Sequence, residues 1–278
     1  MTVNEAVRDR MNECVDILAK QYMKSVRPIY GSTEHGKPFH IGSCVLLEAD
    51  GSHYLITAAH VIDHNDYTTL YVSGENHLVQ IEAEALITKP SNGNRADDKL
   101  DFAILPLSTD IKTQLGDVVF IGASSTSNAS PESKGQLYLA LGFPNSKNKK
   151  VNNPEKKVTQ KPFVYSSTLN LDDNIFQEVG ATKNLHYLLD FCSKHSKDEN
   201  NSVVNSISPT GASGGALFFI EGMNNPENYR PYADCTGKLV GVLIENHKQQ
   251  KVIMATKISV VINALTNSSS GRAKGACR

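Results

Sequence analysis

Apolar residues recur at helical spacing only near the start of the chain. Val7, Met11, Val15, Ile17, Leu18, Tyr22 and Met23, with charges between them, predict an amphipathic helix from residue 5 to about 26. Pro28 and Gly31 stop it. Its default role is packing against the domain that follows, with partner binding or self-association as the alternative. From His40 the pattern changes to short apolar runs. Residues 41–47 and 54–56, joined by Ala49-Asp50-Gly51-Ser52, read as a hairpin whose second strand runs into Thr57-Ala58-Ala59-His60-Val61-Ile62. Further strands are predicted at 69–72, 79–87 and 102–107, separated by polar turns containing Gly and Asn. Short strands at this spacing predict an antiparallel barrel rather than alternating strand and helix units.

Residues 108–135 are polar and rich in serine, with a strand start at 118–121, and read as a connection with the boundary near residue 125. Strands then follow at 136–141, 163–169, 185–191, 216–220, 239–244 and 252–258, and 260–265 begins a closing helix. The whole reads as an all-β chain with helices at both ends. The N-terminal helix lies in 1–30, a first β-barrel in 31–125, a second in 126–266, and a frayed polar tail in 267–278. The lysines of 147–161 are interleaved with Asn and Pro and have no aromatic residue between them, which favours a solvated loop over a nucleic-acid patch.

Composition narrows the function. The chain has 278 residues, enough for a sizeable core. With 40 % hydrophobic residues, 21 % charged residues and a net charge of −1, no global field points to nucleic acid or an anionic membrane. No apolar run of about 18 residues occurs, and the N-terminus is charged, so a cytoplasmic protein is expected. Five cysteines, at 14, 44, 192, 235 and 277, are scattered and form no CxxC pair, which predicts reduced thiols rather than a disulfide framework or zinc ribbon.

Three stretches carry candidate chemistry. Ser208-Pro209-Thr210-Gly211-Ala212-Ser213-Gly214-Gly215 is a small-residue turn running into an apolar strand, and its glycines let backbone N–H groups approach a bound group beside the Ser213 hydroxyl. His60 stands at a strand end. Asp101 abuts an apolar strand, where a buried carboxylate needs a partner such as an imidazole N–H. Each has a plain structural reading alone, as a loop, a core histidine and a loop acid. Together they supply a nucleophile, a base to take its proton and a carboxylate to fix the base's tautomer.

The order His, Asp, Ser on an all-β pattern resembles the chymotrypsin-like (trypsin-like) serine peptidases. "LITAAHV", "LDFAILPL" and "GASGG" are similar to that family's histidine, aspartate and nucleophile motifs, and the resemblance spans residues 40 to about 262. It implies two packed six-stranded antiparallel β-barrels with a catalytic triad of His60, Asp101 and Ser213 in the cleft between them. It also implies an oxyanion hole from the backbone N–H groups of Gly211 and Ser213, and no cofactor or metal. On the same alignment Ile207 lies at the base of the substrate pocket, Ile244, Glu245 and Asn246 along its edge, and Ile253 in its wall. That lining implies a preference for small or medium aliphatic side chains over Arg or Lys.

Two departures from secreted members are informative. Cys44 has no bridge partner because Val61 follows His60, and Ala212 replaces the aspartate that pairs with a released N-terminus. "LALGFPNSKNKK" looks most like the intracellular bacterial trypsin-like peptidases, with HtrA proteases more distant. This resemblance implies a protein or peptide substrate, one dedicated target as in defence systems, and an activating partner or self-association that orders the oxyanion turn. The alternative is a catalytically silent peptide-binding or scaffold module of the same fold. Cys192 with His195 as a Cys/His pair, and His53, His60 and His64 as metal ligands, lack an oxyanion turn and an acidic or cysteine ligand respectively.

Overall fold

The computed structural model describes residues 3–90, 92–127, 135–148, 161–192, 196–197, 203–204, 208–223, 226–229 and 234–273. The amphipathic stretch forms α1 (Val3–Tyr22). Its face bearing Cys14, Leu18 and Tyr22 is buried, the Tyr22 ring stacks on Phe218 at 4.1 Å, and the Tyr22 hydroxyl donates to the Gly237 carbonyl at 2.7 Å. The helix therefore packs mainly against the distant second half of the chain. A disulfide joins Cys14 to Cys235, with Cα atoms 5.3 Å apart and a sequence separation of 221. The expectation of reduced thiols is thus corrected for this pair. Cys44, buried, and Cys192, exposed, form no disulfide among the described residues, and Cys277 lies outside them.

The first sheet contains β1 (Val26–Ser32), β2 (Pro38–Ala49), β3 (Ser52–Ala58), β4 (Tyr71–Ser73), β5 (Leu78–Gln80), β6 (Leu86–Ile87), β7 (Phe102–Pro106) and β8 (Ile121–Gly122). Its order is β5-β4-β1-β2-β3-β7-β6, and β8 pairs parallel with β2. This gives eight strands where six were expected. Part of the difference is the stretch 79–87, which divides into β5 and β6 as the chain between them leaves the ladder. Directly after β3 comes a single helical turn, α2 (Ala59–Ile62). The supposed polar connection also holds a helix, α3 (Thr109–Leu115). The Ser108 hydroxyl caps it by accepting from the Ile111 N–H, and Ile111 and Leu115 are buried.

The second sheet is built from β9 (Leu137–Gly142), β10 (Phe163–Ser167), β11 (His186–Asp190), and, beyond a small hairpin of β12 (Ser196–Lys197) and β13 (Val203–Val204), from β14 (Ala216–Ile220), β15 (Gly237–His247) and β16 (Val252–Lys257). Six antiparallel strands run β10-β9-β14-β15-β16-β11. The sheet closes on itself just past β10: Leu169 bridges Leu189, Asn170 N–H donates to the Leu188 carbonyl at 2.8 Å, and Asp190 N–H to the Thr168 carbonyl at 3.0 Å. Two short helices, α4 (Asn145–Asn148) and α5 (Asp173–Glu178), lie between its strands. The last helix, α6 (Ile258–Ala273), continues through residues 267–273, where a frayed tail was expected, and 274–278 lie outside the described residues.

One apolar cluster spans both halves. It joins Val45, Ile56, Phe102 and Ile104 of the first sheet to Leu139, Leu141, Phe218 and Val242 of the second, with Leu18 of α1 and Val261 of α6. Burial of this continuous core fixes the two sheets against each other and defines a cleft at their junction. Among the described residues no helix is long and apolar enough to cross a membrane.

Candidate active site

β3 ends in the buried Ala58, and the α2 turn, opening on the buried Ala59, sets His60 at the junction of the halves. Asp101, only 3 % exposed, faces it. The Asp101 carboxylate accepts the His60 backbone N–H at 2.9 Å and meets His60 Nδ1 at 2.6 Å, while the Asp101 carbonyl accepts the Ala59 N–H at 3.0 Å. Because a carboxylate only accepts, Nδ1 carries the hydrogen and the lone pair of the neutral ring lies on Nε2.

Asp101 is held in a left-handed conformation, φ +39°, of the kind that persists only where surroundings enforce it. Those surroundings come from both halves. Asp98 Oδ1 accepts the Asp101 N–H at 3.1 Å, Thr256 of β16 donates its hydroxyl to the Leu100 carbonyl at 2.6 Å, and His186 Nε2 meets the Lys99 carbonyl at 2.8 Å. Arg95 then ties this loop to the end of the His60 turn by pairing with Asp98 and, through two nitrogens at 2.7 and 3.0 Å, with Asp63.

Burial alone would push the His60 pKa down. The hydrogen bond and charge of Asp101, with the charges of Glu245 and Asp63, outweigh it and hold the ring above its ordinary value. His40 and His186 go the other way, pushed down chiefly by burial.

Ser213 sits in a turn whose backbone groups are almost all assigned. Ala212 N–H donates to the Pro209 carbonyl at 2.7 Å, and Gly211 at φ +93° takes the third position, as a type II turn demands. Asn145 N–H holds the Thr210 carbonyl at 2.8 Å, the Ser43 hydroxyl the Gly211 carbonyl at 3.2 Å, and Ser43 N–H the Ser213 carbonyl at 2.8 Å. Gly214 and Gly215 N–H donate to Leu243 and Ala212 carbonyls at 2.7 and 2.8 Å. The N–H groups of Gly211 and Ser213 donate to no acceptor among the described residues. Ala212 is buried among apolar groups including Ala140, Leu217 and Leu243, so nothing at that position carries charge.

His60 and Ser213 open onto one cleft of about 310 Å³. Ile244, Glu245, Asn246 and Ile253 line it, whereas Ile207 lies outside the described residues. The Ser213 hydroxyl donates to the Ile244 carbonyl at 3.1 Å, and no hydrogen bond joins it to the imidazole. Glu245 would be pushed up by burial, but its contact with His247 at 2.9 Å and the charges of Lys99, His247 and His60 keep it ionised below the ordinary range. The cleft edge therefore carries a paired carboxylate that an apolar reading of the pocket did not weigh.

Sequence reasoning missed Ile41, Asn145 and Lys248, which also line the cleft, and His40 and Ser43 behind it. The available signal was position: Asn145 follows Gly142-Phe143-Pro144, and His40 opens the apolar run of β2. Of the other candidates, His53 Nε2 lies 2.8 Å from Lys112 Nζ, Cys192 is exposed, and His195 is outside the described residues.

No curated protein sequence matches the chain. The solved structures similar to it include the following three. One, from a study of how aromatic interactions drive coupled folding and binding of the intrinsically disordered Sesbania mosaic virus VPg protein, shares 17 % identity, covers 87 % of this chain and 90 % of its own, and has a TM-score of 0.48. The MamO protease domain from Magnetospirillum magneticum, in apo form, shares 14 %, with coverage of 86 % and 94 % and a TM-score of 0.43. A Glu endopeptidase in complex with MPD shares 14 %, with coverage of 87 % and 90 % and a TM-score of 0.45. The model of the trypsin-like peptidase domain matches residues 42–222, a span that begins on β2 beside Ser43, takes in His60, Asp101 and Ser213, and ends just past β14. With its mostly-β body and two packed sheets flanked by terminal helices, the chain belongs to the trypsin-like peptidase domain family, in the chymotrypsin-like arrangement.

Proposed function

We propose that the protein is a serine endopeptidase in which Ser213 is the nucleophile, His60 the general base and then acid, and Asp101 the group that fixes the imidazole. The observation that carries this reading is the 2.6 Å Asp101–His60 pair opening on the same cleft as Ser213, where the backbone N–H groups of Gly211 and Ser213 donate to no acceptor among the described residues. As Ser213 Oγ attacks the scissile carbonyl carbon, its proton passes to His60 Nε2, and Asp101 stabilises the imidazolium. The new oxyanion accepts from Gly211 and Ser213 N–H, a pair of donors worth about 3 kcal/mol each in such sites. The C–N bond then breaks as His60 returns the proton to the leaving amine, and water, deprotonated by His60, releases the acyl group. Before the first step the hydroxyl turns from the Ile244 carbonyl toward the imidazole, a rotation about Cα–Cβ that leaves the backbone unchanged.

The substrate is a protein or peptide. Ile244 and Ile253, with Glu245 already paired to His247, support a small or medium aliphatic residue ahead of the scissile bond rather than Arg or Lys. An activating partner, or self-association through α1, would act by favouring the turned hydroxyl. Cleavage-site mapping in a proteome exposed to the full chain tests this: cuts after aliphatic residues that vanish with Ser213→Ala support it, and cuts that persist overturn it.

A second reading, a silent peptide-binding module of the same fold, is favoured by the Ser213–Ile244 hydrogen bond. It requires saturable peptide binding without cleavage, and identical behaviour of the wild type and Ser213→Ala.

A further inference from the structure

Ala212 offers no charged group to hold the nucleophile's turn, yet that turn has a defined backbone arrangement. The contacts that hold it begin at Asn145. A trans peptide unit points its C=O and N–H in opposite directions. The 2.8 Å hydrogen bond from Asn145 N–H to the Thr210 carbonyl therefore decides the side on which the Gly211 N–H emerges. Rotation of that one peptide unit would convert the type II turn toward type I and reverse the Gly211 donor.

Asn145 is itself gripped. Its Oδ1 lies 2.5 Å from His40 Nδ1, and a Cβ built on Gly211 would stand 2.1 Å from the same oxygen. The side chain thus lies flat against the turn, and only glycine fits beneath it. Because an amide oxygen only accepts, His40 Nδ1 carries the hydrogen. The His40 ring is 8 % exposed, edge-on to Tyr30 at 5.5 Å, and its Nε2 is buried without a hydrogen-bond partner among the described residues. His40 stands on β2 of the first sheet and Asn145 at the head of α4 in the second half, so the pair spans the junction at which the cleft forms.

We propose that His40 and Asn145 are positioning residues that set the Gly211 N–H as an oxyanion donor, doing in this chain what a charged group at position 212 would otherwise do. His40 holds the Asn145 side chain, Asn145 holds the Thr210 carbonyl, and the peptide unit presents its N–H to the cleft. Ser43, three residues along β2, secures the next carbonyl at Gly211. The inference rests on the serine peptidase reading for its effect on rate, but the effect on the turn stands independently.

The test uses the full chain as wild type, Asn145→Ala, Asn145→Asp, His40→Phe and Ser213→Ala, with a chromogenic peptide and crystal structures of the variants. Asn145→Ala and His40→Phe are expected to lower kcat by about 100-fold, the order seen when one oxyanion donor is lost, with KM little changed. Asn145→Asp keeps an acceptor for the His40 N–H and is expected to recover most of kcat, which a general packing defect would not allow. In the Asn145→Ala structure the Gly211 φ is expected to leave its positive value. Wild-type kcat in Asn145→Ala, equal loss in Asn145→Asp, or an unmoved turn in the Asn145→Ala structure overturns the proposal. Activity that survives Ser213→Ala overturns the serine peptidase reading instead, and the turn geometry still decides the positioning role.

Discussion

Asp101 accepts both hydrogens that His60 presents to it, the ring Nδ1–H at 2.6 Å and the backbone N–H at 2.9 Å. One carboxylate thereby fixes both the tautomer and the placement of the imidazole. Asp101→Asn keeps the size but puts an amide NH₂ against one of those two donors. If it meets the ring, the hydrogen moves to Nε2 and the base is lost. The expected result is a fall in kcat of about 10⁴, read in steady-state peptide cleavage with the thermal midpoint followed in parallel. A loss below tenfold contradicts the assigned role.

The pH dependence follows from the same pair. Only neutral His60 can take the Ser213 proton, and its pKa lies above 6.5, so kcat/KM is expected to rise through one ionisation centred above pH 6.5 and to level off on the alkaline side. Stability from His60 has the opposite sense. The folded ring binds its proton more tightly than the unfolded chain, so this contribution is complete below the unfolded pKa and is lost as pH rises through the folded one. For His40 and His186 the folded pKa is depressed, and stability is lost as pH falls below 6.5, where the unfolded chain takes up protons that the fold refuses. A pH–rate profile centred below 6.5 goes against the Asp101–His60 pairing.

Gly214 has φ +84°, and a Cβ there would stand 2.0 Å from the Ser43 carbonyl oxygen and 2.2 Å from Thr57 Oγ1. The Thr57 hydroxyl donates to that carbonyl at 2.6 Å, so neither atom can yield freely. Gly214→Ala is expected to cost about 3 kcal/mol or more in urea unfolding. A cost under about 1 kcal/mol would mean that the turn is not held against β2 as described.

The Cys14–Cys235 bond closes a loop across nearly the whole chain. Loss of such a cross-link is expected to cost about 2–5 kcal/mol, so Cys14→Ala/Cys235→Ala, or reductant added to the wild type, lowers the melting temperature. The double variant is expected to be insensitive to reductant. Identical melting with and without reductant in the wild type contradicts the bridge.

What the sequence makes legible is local. The small-residue turn at Ser213, the strand end at His60 and the acid before the apolar run at Asp101 are each written in a few adjacent residues, and alternation of short apolar runs signals the sheets. Contacts made by docking leave no such trace. Cys14 and Cys235 are brought together by packing of α1, and their spacing carries no pattern. Asn145 and His40 read as ordinary loop and strand residues until the two halves meet. The α3 helix was hidden for another reason: its Ser-Thr-Asp start suggests a loop by composition, while the Ser108 cap and the buried Ile111 and Leu115 make it a helix. In the first sheet the strand left unread is β1, seven residues long, whose Pro28 and Gly31 signal only the stop of the preceding helix, and the stretch 79–87 divides into two strands too short for an alternation to show.

The most direct measurement is the intact mass of the full chain after incubation with a fluorophosphonate, followed by peptide mapping of the adduct. The expected result is one adduct per chain, on Ser213, formed more slowly in Asp101→Asn and absent in Ser213→Ala. No adduct on the folded wild type, or an adduct that persists in Ser213→Ala, would contradict the account.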